Sequence, residues 1–152
     1  MTNKKFESFP VIGISVRTNN HNQNTSKDIE QLWATFMNEG IINKIPHKLD
    51  NTIYAIYTDY ESDYTQDYTL IIGCKVEHLD TIPEGMTSTT VQKGNYSQFT
   101  AKGDVTKGAI YEEWLKIWQS DLNRSYTTDF EVYGMKAQNP QNAEVDIFIA
   151  LE

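Results

Sequence analysis

The sequence predicts an α+β fold in which duplicated strand-helix-strand-strand units form one antiparallel sheet with two helices on one face. Three observations carry this expectation. Two stretches with helical apolar spacing, Ile29 to Met37 and Ile110 to Trp118, each follow a strand-like run and precede two more. The order of elements repeats after about 75 to 80 residues, with Leu32-Trp33 on one helix answering Trp114-Leu115 on the other. The strands nearest the C-terminus alternate cleanly, so they belong to a sheet with distinct faces. One domain over 1–152 is expected, with pseudo-repeats at about 1–79 and 80–152.

After a polar start, Val11 to Val16 is a β-branched run behind Pro10 and reads as a first strand, and Asn19 to Asn24 reads as a solvated loop. Thr25, with Asp28 three residues on, offers a capping box for a helix whose Ile29, Leu32, Trp33, Phe36 and Met37 share a face, and Gly40 is its stop. Ile41 to Pro46 lacks periodicity and reads as a packed loop. Ile53 to Tyr60 and Tyr68 to Val76 form a hairpin around the acidic turn Glu61 to Gln66, and Leu70-Ile71-Ile72 suggests burial on both faces. Leu79 to Gly85 connects the halves. In the second half, Thr87 to Lys93 and Tyr96 to Ala101 read as a hairpin around Gly94-Asn95. Asp104 or Thr106 then caps a helix that presents Ile110, Trp114, Ile117 and Trp118. Thr128 to Tyr133 and Glu144 to Leu151 are the closing strands.

Composition excludes several classes. With 39% hydrophobic and 22% charged residues the chain is globular rather than disordered, and its net charge of −8 repels the phosphate backbone that supplies nonspecific nucleic-acid affinity. Direct nucleic-acid binding is therefore not expected. Cys74 is the single cysteine, so no internal disulfide forms, and no apolar run is long enough for a membrane span. A cytoplasmic protein that does not engage membranes is expected.

Most catalytic and metal motifs are missing. His21, His47 and His78 stand in separate loops with no partner at ligand spacing, so no metal is expected. Cys74 lies in an apolar strand where a thiol is inert, there is no Gly-x-Ser-x-Gly elbow, and the glycines are too scattered for a phosphate-cradling loop. No cofactor is implied, and no catalytic residue is assigned. What remains is Glu131, inside the strand Asp129-Phe130-Glu131-Val132-Tyr133 and on the same face as Tyr133. A carboxylate in mid-sheet costs several kcal/mol unless paired or hydrated, so it either faces solvent or is held for a purpose.

Phe130-Glu131-Val132-Tyr133 before a final Val145 to Ala150 strand, and Gly94-Asn95-Tyr96-Ser97-Gln98-Phe99 before the second helix, resemble the gyrase-inhibitor-like family. That family is the effector-binding domain of AraC-type and multidrug-sensing regulators. Ile53 to Tyr60, Gly73-Cys74-Lys75-Val76, Ile82-Pro83-Glu84-Gly85 and Phe99 to Gly103 look like its stand-alone bacterial members. The resemblance implies a cleft between the helices, lined by aromatic residues, in which a buried glutamate attracts small lipophilic or cationic molecules. Carried onto this sequence, the glutamate is Glu131, and Tyr133, Trp114, Trp118, Trp33, Tyr57 and Phe99 are candidate walls. The sequence has no helix-turn-helix segment, which leaves a sensor or sequestering module linked to transcription regulation. Two alternatives stay open: a small-molecule hydrolase using the same glutamate, and a protein-interaction inhibitor of a DNA-binding enzyme. A protein partner or a homodimer is compatible with each of these readings.

Overall fold

Two short connections dictate the shape of this molecule. The computed structural model describes residues 2–19, 25–62 and 66–152. Within them run β1 (Thr2–Phe6), β2 (Phe9–Asn19), α1 (Thr25–Asn38), β3 (Ile53–Thr58), β4 (Asp67–Lys75), β5 (Thr87–Val91), β6 (Gly94–Gly103), α2 (Ala109–Gln119), β7 (Thr128–Tyr133) and β8 (Ala143–Ala150). The eight strands form one antiparallel sheet in the order β1-β6-β8-β7-β3-β4-β2-β5. The expected α+β architecture is therefore found. The inner six strands read the same way from both ends, with β7 of the second half paired to β3 of the first at the centre.

β1 lies at one edge, yet only Glu7 and Ser8 separate it from β2, next to the opposite edge. Likewise, only Gln92 and Lys93 separate β5 at the far edge from β6. Neighbouring strands stand about 4.8 Å apart, so a flat sheet could not be spanned by such links. The sheet must curl until its edges approach. Ring contacts agree: Phe9 and Phe130, three strand positions apart, have centroids 5.8 Å from one another, and Phe6 touches Phe148 at 4.8 Å and Phe130 at 5.3 Å. These rings fill the concave side together with Val11, Ile56, Ile71, Val91 and Tyr96. The other face carries both helices. Leu32 and Phe36 of α1 pack over Ile12, Ala55, Leu70 and Ile72, and Trp114 and Ile117 of α2 pack over Ala101, Val145, Ile147 and Ile149. Tyr57 and Tyr133 belong to both of these clusters and join them at the centre.

Four expectations need correction. Residues 87–93 and 96–101 are not a hairpin: β5 pairs with β2, and β6 pairs with β1 and β8. The curl brings the two edges side by side, so the chain crosses from one to the other instead of folding back. The first strand begins at Phe9, and the polar start is itself a strand; Asn3, Lys4 and Lys5 are exposed on this edge and only Phe6 enters the core. Lysines on an edge discourage further strand addition, which explains a strand without apolar alternation. Met37 is 62% exposed rather than on the buried face of α1. Finally, Asp104 caps a short 3-10 turn, Val105–Lys107, by accepting the Thr106 amide N–H, and α2 starts only after Gly108, whose φ of 91° is left-handed. The loop at 41–46 holds a single 3-10 turn with Ile41 buried, and Leu70, Ile71 and Ile72 are all buried as expected. The loop at 19–24, the Thr25 cap and the tip of the 61–66 turn fall wholly or partly outside the described residues. Among those residues no helix is long and apolar enough to cross a membrane.

Gly13 and Gly73 face each other across β2 and β4. A Cβ on Gly73 would stand 2.2 Å from the Ile12 carbonyl oxygen, and one on Gly13 would stand 2.1 Å from that of Ile72. Both obstacles are backbone, which cannot rotate away. Gly73→Ala should therefore lower stability by at least about 1 to 3 kcal/mol in urea unfolding, although alanine favours strands no less than glycine does. Unchanged stability would show that the strands can separate freely at this point.

Candidate ligand-binding site

Glu131 occupies the central strand β7 on the helix face, opposite Ala55 of β3 and Ile147 of β8. The small alanine side chain leaves room above the carboxylate, and three aromatic donors fill it. Trp114 Nε1 and the Tyr57 hydroxyl donate to Oε2 at 2.6 and 2.8 Å, and the Tyr133 hydroxyl donates to Oε1 at 2.5 Å. Each comes from a different element, α2, β3 and β7, so the tertiary fold builds the cluster. Glu131 is 2% exposed. Burial pushes its carboxyl above the usual range, opposed by the hydrogen bonds from Tyr133, Trp114 and Tyr57. The same burial, and then the nearby Glu131 charge, raises the Tyr57 and Tyr133 hydroxyls well above 10.0, so both remain donors.

Two residues earlier on the same face, Asp129 is treated differently. Its Oδ2 accepts from Arg124 Nη2 at 2.8 Å and from the Tyr60 hydroxyl at 2.5 Å, and its Oδ1 accepts the Ala150 amide N–H at 2.9 Å. Arg124 is 7% exposed and Asp129 is completely buried, so this carboxylate carries its own counter-ion. Glu131 is bonded to three neutral groups. A buried anion given donors but no cation holds a potential that an incoming cation can use.

Beside this cluster, with Tyr133 as the residue they share, a cleft of about 860 Å³ opens between α1 and the start of α2. Trp33, Ile29 and Met37 of α1, Ile110 of α2, the segment Asp50 to Ile53 and the turn beyond Tyr133 form its walls. Its charged lining residues, Glu30 and Asp50, are both acidic. Met37 and Met135, 62% and 86% exposed, also line it. Thioethers of this kind adapt to ligands of varied shape.

Tyr133 faces both the cleft and Glu131, and Trp33 lines the cleft and meets the Tyr133 ring edge-on at 4.8 Å. Trp114 and Tyr57 close over the carboxylate, with their rings 5.2 Å apart, and like Glu131 itself they lie outside the cleft lining. Trp118 stacks on Trp114 at 6.2 Å and Phe99 packs into the α2 cluster, both outside the cleft lining. Asp50, Asn51, Thr52, Met135 and Ala137 also line it, although they lie in connectors without periodicity. The Gly134 break behind Tyr133 is the one sequence sign of a cleft floor there. Cys74 is buried, its thiol pushed up to about 11 by burial. His47 and His78, which the sequence keeps in separate loops, have ring centroids 4.3 Å apart.

Comparison with known proteins gives a consistent result. A family model described as "Cass2: Integron-associated effector binding protein" matches residues 4–151. YobU of Bacillus subtilis (strain 168), a protein named for transcriptional regulation, is 29% identical over 144 residues, covering 92% of this chain and 90% of its own. The crystal structure of the integron cassette protein VCH_CASS2, from the mobile metagenome of Vibrio cholerae, is similar at 30% identity and a TM-score of 0.77, covering 99% of this chain and 95% of that one. SAV2435, whose structure was solved bound to tetraphenylphosphonium, shares the fold at a TM-score of 0.78 and 17% identity, covering 99% of this chain and 93% of that one.

Proposed function

Since the chain belongs to the Cass2 family of integron-associated effector-binding proteins, we infer that its effector is a small lipophilic cation, held in the aromatic cleft beside Glu131. The observation that carries this reading is the buried Glu131 carboxylate, whose hydrogen-bond partners are all neutral, beside a cleft whose charged residues are acidic. Tyr133 is the link between the two. Its hydroxyl donates to Glu131, which enriches the ring in electron density, and the same ring faces the cleft beside Trp33. A cation against these two rings gains about 0.5 to 2 kcal/mol from the ring quadrupoles, and more from the uncompensated carboxylate behind them. Apolar walls and adaptable methionines suit a bulky, weakly hydrated ion rather than a metal or an ammonium.

In this reading residues 1–152 are one effector-binding domain of two pseudo-repeats, acting in the cytoplasm as a sensor or sequestering module linked to transcription regulation. That SAV2435 was captured with tetraphenylphosphonium, a lipophilic cation, supports the ligand class. The test is a titration with tetraphenylphosphonium followed by tryptophan fluorescence. Saturable quenching at one equivalent is expected. Trp33→Ala should weaken it by about 10-fold through loss of stacking area, with folding preserved because Trp33 is only partly buried. Quenching that never saturates, or that Trp33→Ala leaves untouched, counts against the cleft as the site.

A further inference from the structure

Away from the cleft, the fold draws together side chains from two distant loops. We propose that His47, Glu77 and His78 form a binding site for a divalent cation of the zinc class. One ligand atom from each lies within 4.8 Å of the other two. A short backbone ladder sets this proximity: Lys48 bridges Val76 antiparallel, the Leu49 amide N–H donates to the Lys75 carbonyl at 3.1 Å, and the Glu77 amide N–H donates to the His47 carbonyl at 3.0 Å. The two loops are thus zipped together directly under the three side chains. His47 sits at the turn with a left-handed φ of 59°, a conformation that histidine enters more readily than most residues.

The donor set selects the ion. Two neutral imidazoles and a carboxylate suit zinc, nickel or copper, whereas calcium and magnesium call for oxygen ligands throughout. Around a tetrahedral ion with bonds of about 2.0 to 2.2 Å, donors stand roughly 3.4 Å apart. Side-chain rotation can close the remaining gap, since His47 and Glu77 are exposed and His78 half-buried. The Nδ1 of His78 accepts the Asp80 amide N–H at 3.4 Å and stands 3.6 Å from the Asp80 carboxylate, which leaves Nε2 for the ion. Binding the ion at Nε2 moves the imidazole proton to Nδ1, which then gives up the Asp80 amide and donates to the Asp80 carboxylate instead, a carboxylate–histidine–metal arrangement. Water completes the coordination. The connector that holds His47 continues into Asp50, Asn51 and Thr52, which line the cleft, so an ion here stiffens one cleft wall from behind.

The test is a zinc chloride titration of the full chain by calorimetry in a non-chelating buffer, with the imidazole signals followed by NMR. One zinc per chain is expected, and the His47 and His78 signals should move together and stop moving at one equivalent. His47→Gln and His78→Gln should each weaken uptake by at least about 10-fold, and Asp80→Asn by less. Should a variant fail to fold, the wild-type NMR titration decides: His47 and His78 signals unmoved by zinc overturn the site. So does a His47→Gln/His78→Gln double variant that binds zinc as tightly as the wild type, because scattered surface carboxylates would then be the ligands.

Discussion

Glu131→Gln should weaken tetraphenylphosphonium binding by about 10- to 100-fold, the equivalent of roughly 1 to 3 kcal/mol for a charge acting on the cation from behind the Tyr133 ring in a desolvated site. A neutral analogue of like shape, triphenylphosphine oxide, should bind both proteins alike. The amide keeps the shape of the carboxylate. Its oxygen can accept from Trp114 and Tyr57, which share Oε2, and its NH₂ can bond the Tyr133 oxygen. Stability should move the other way. Burial raises the Glu131 pKa, so the folded protein holds this proton more tightly than the unfolded chain does. The stabilisation from that preference is complete below the unfolded-state pKa and disappears as pH rises through the folded-state value. Above that folded-state value the wild type bears the cost of a buried charge that the glutamine variant avoids, and there this variant should unfold at an equal or higher urea concentration. Glu131→Ala, by contrast, strands three donors and should cost about 3 kcal/mol or more. If Glu131→Gln binds the cation as well as the wild type does, the carboxylate is not the anionic element of the site.

Asp129→Ala should destabilise the protein by about 3 to 5 kcal/mol, because it breaks the buried ion pair with Arg124. The Tyr60 hydroxyl and the Ala150 amide lose their acceptor as well. For a chain of this length that corresponds to a fall in Tm of roughly 10 °C or more. Cation binding in whatever fraction remains folded should be little changed. Two carboxylates on one strand face, two residues apart, thus give opposite signatures: one carries binding at a cost in stability, the other carries stability. If Asp129→Ala is nearly neutral, water reaches Arg124.

Where side-chain periodicity fixes an element, its place could be read from the sequence. The sequence predicts strand β7 at Thr128 to Tyr133, where the structure has it, and the pairing of Glu131 with Tyr133 on one face follows from period-two alternation. The stripe from Ile110 to Trp118 likewise presents Trp114 to the sheet. What stayed hidden depends on partners distant in sequence. β1 is polar because it is an edge, and nothing within residues 87–101 says that β5 and β6 part company to pair at opposite ends of the sheet. Arg124 stands in a connector and Asp129 at a strand end, so their burial as a pair is visible only once Ala150 closes over them. The cleft walls at Asp50 to Thr52 and at Met135 come from loops, whose positions obey neither a two- nor a 3.6-residue period.

The crossed leading strands bear on how such a chain reaches its native state. Thr2 lies opposite Gln98 and Phe6 opposite Gly94, so β1 finds its neighbour only after the whole stretch between Phe6 and Gly94 has been made. During synthesis β1 leaves the ribosome unpaired, while β5, emerging later, has its partner β2 already waiting. Neither half can complete its own edge, and docking must be mutual. Contacts of such long sequence separation slow folding and leave an unpaired edge open to neighbouring chains in the interval. The exposed Lys4 and Lys5 stand on that waiting strand, where charge keeps it from premature association.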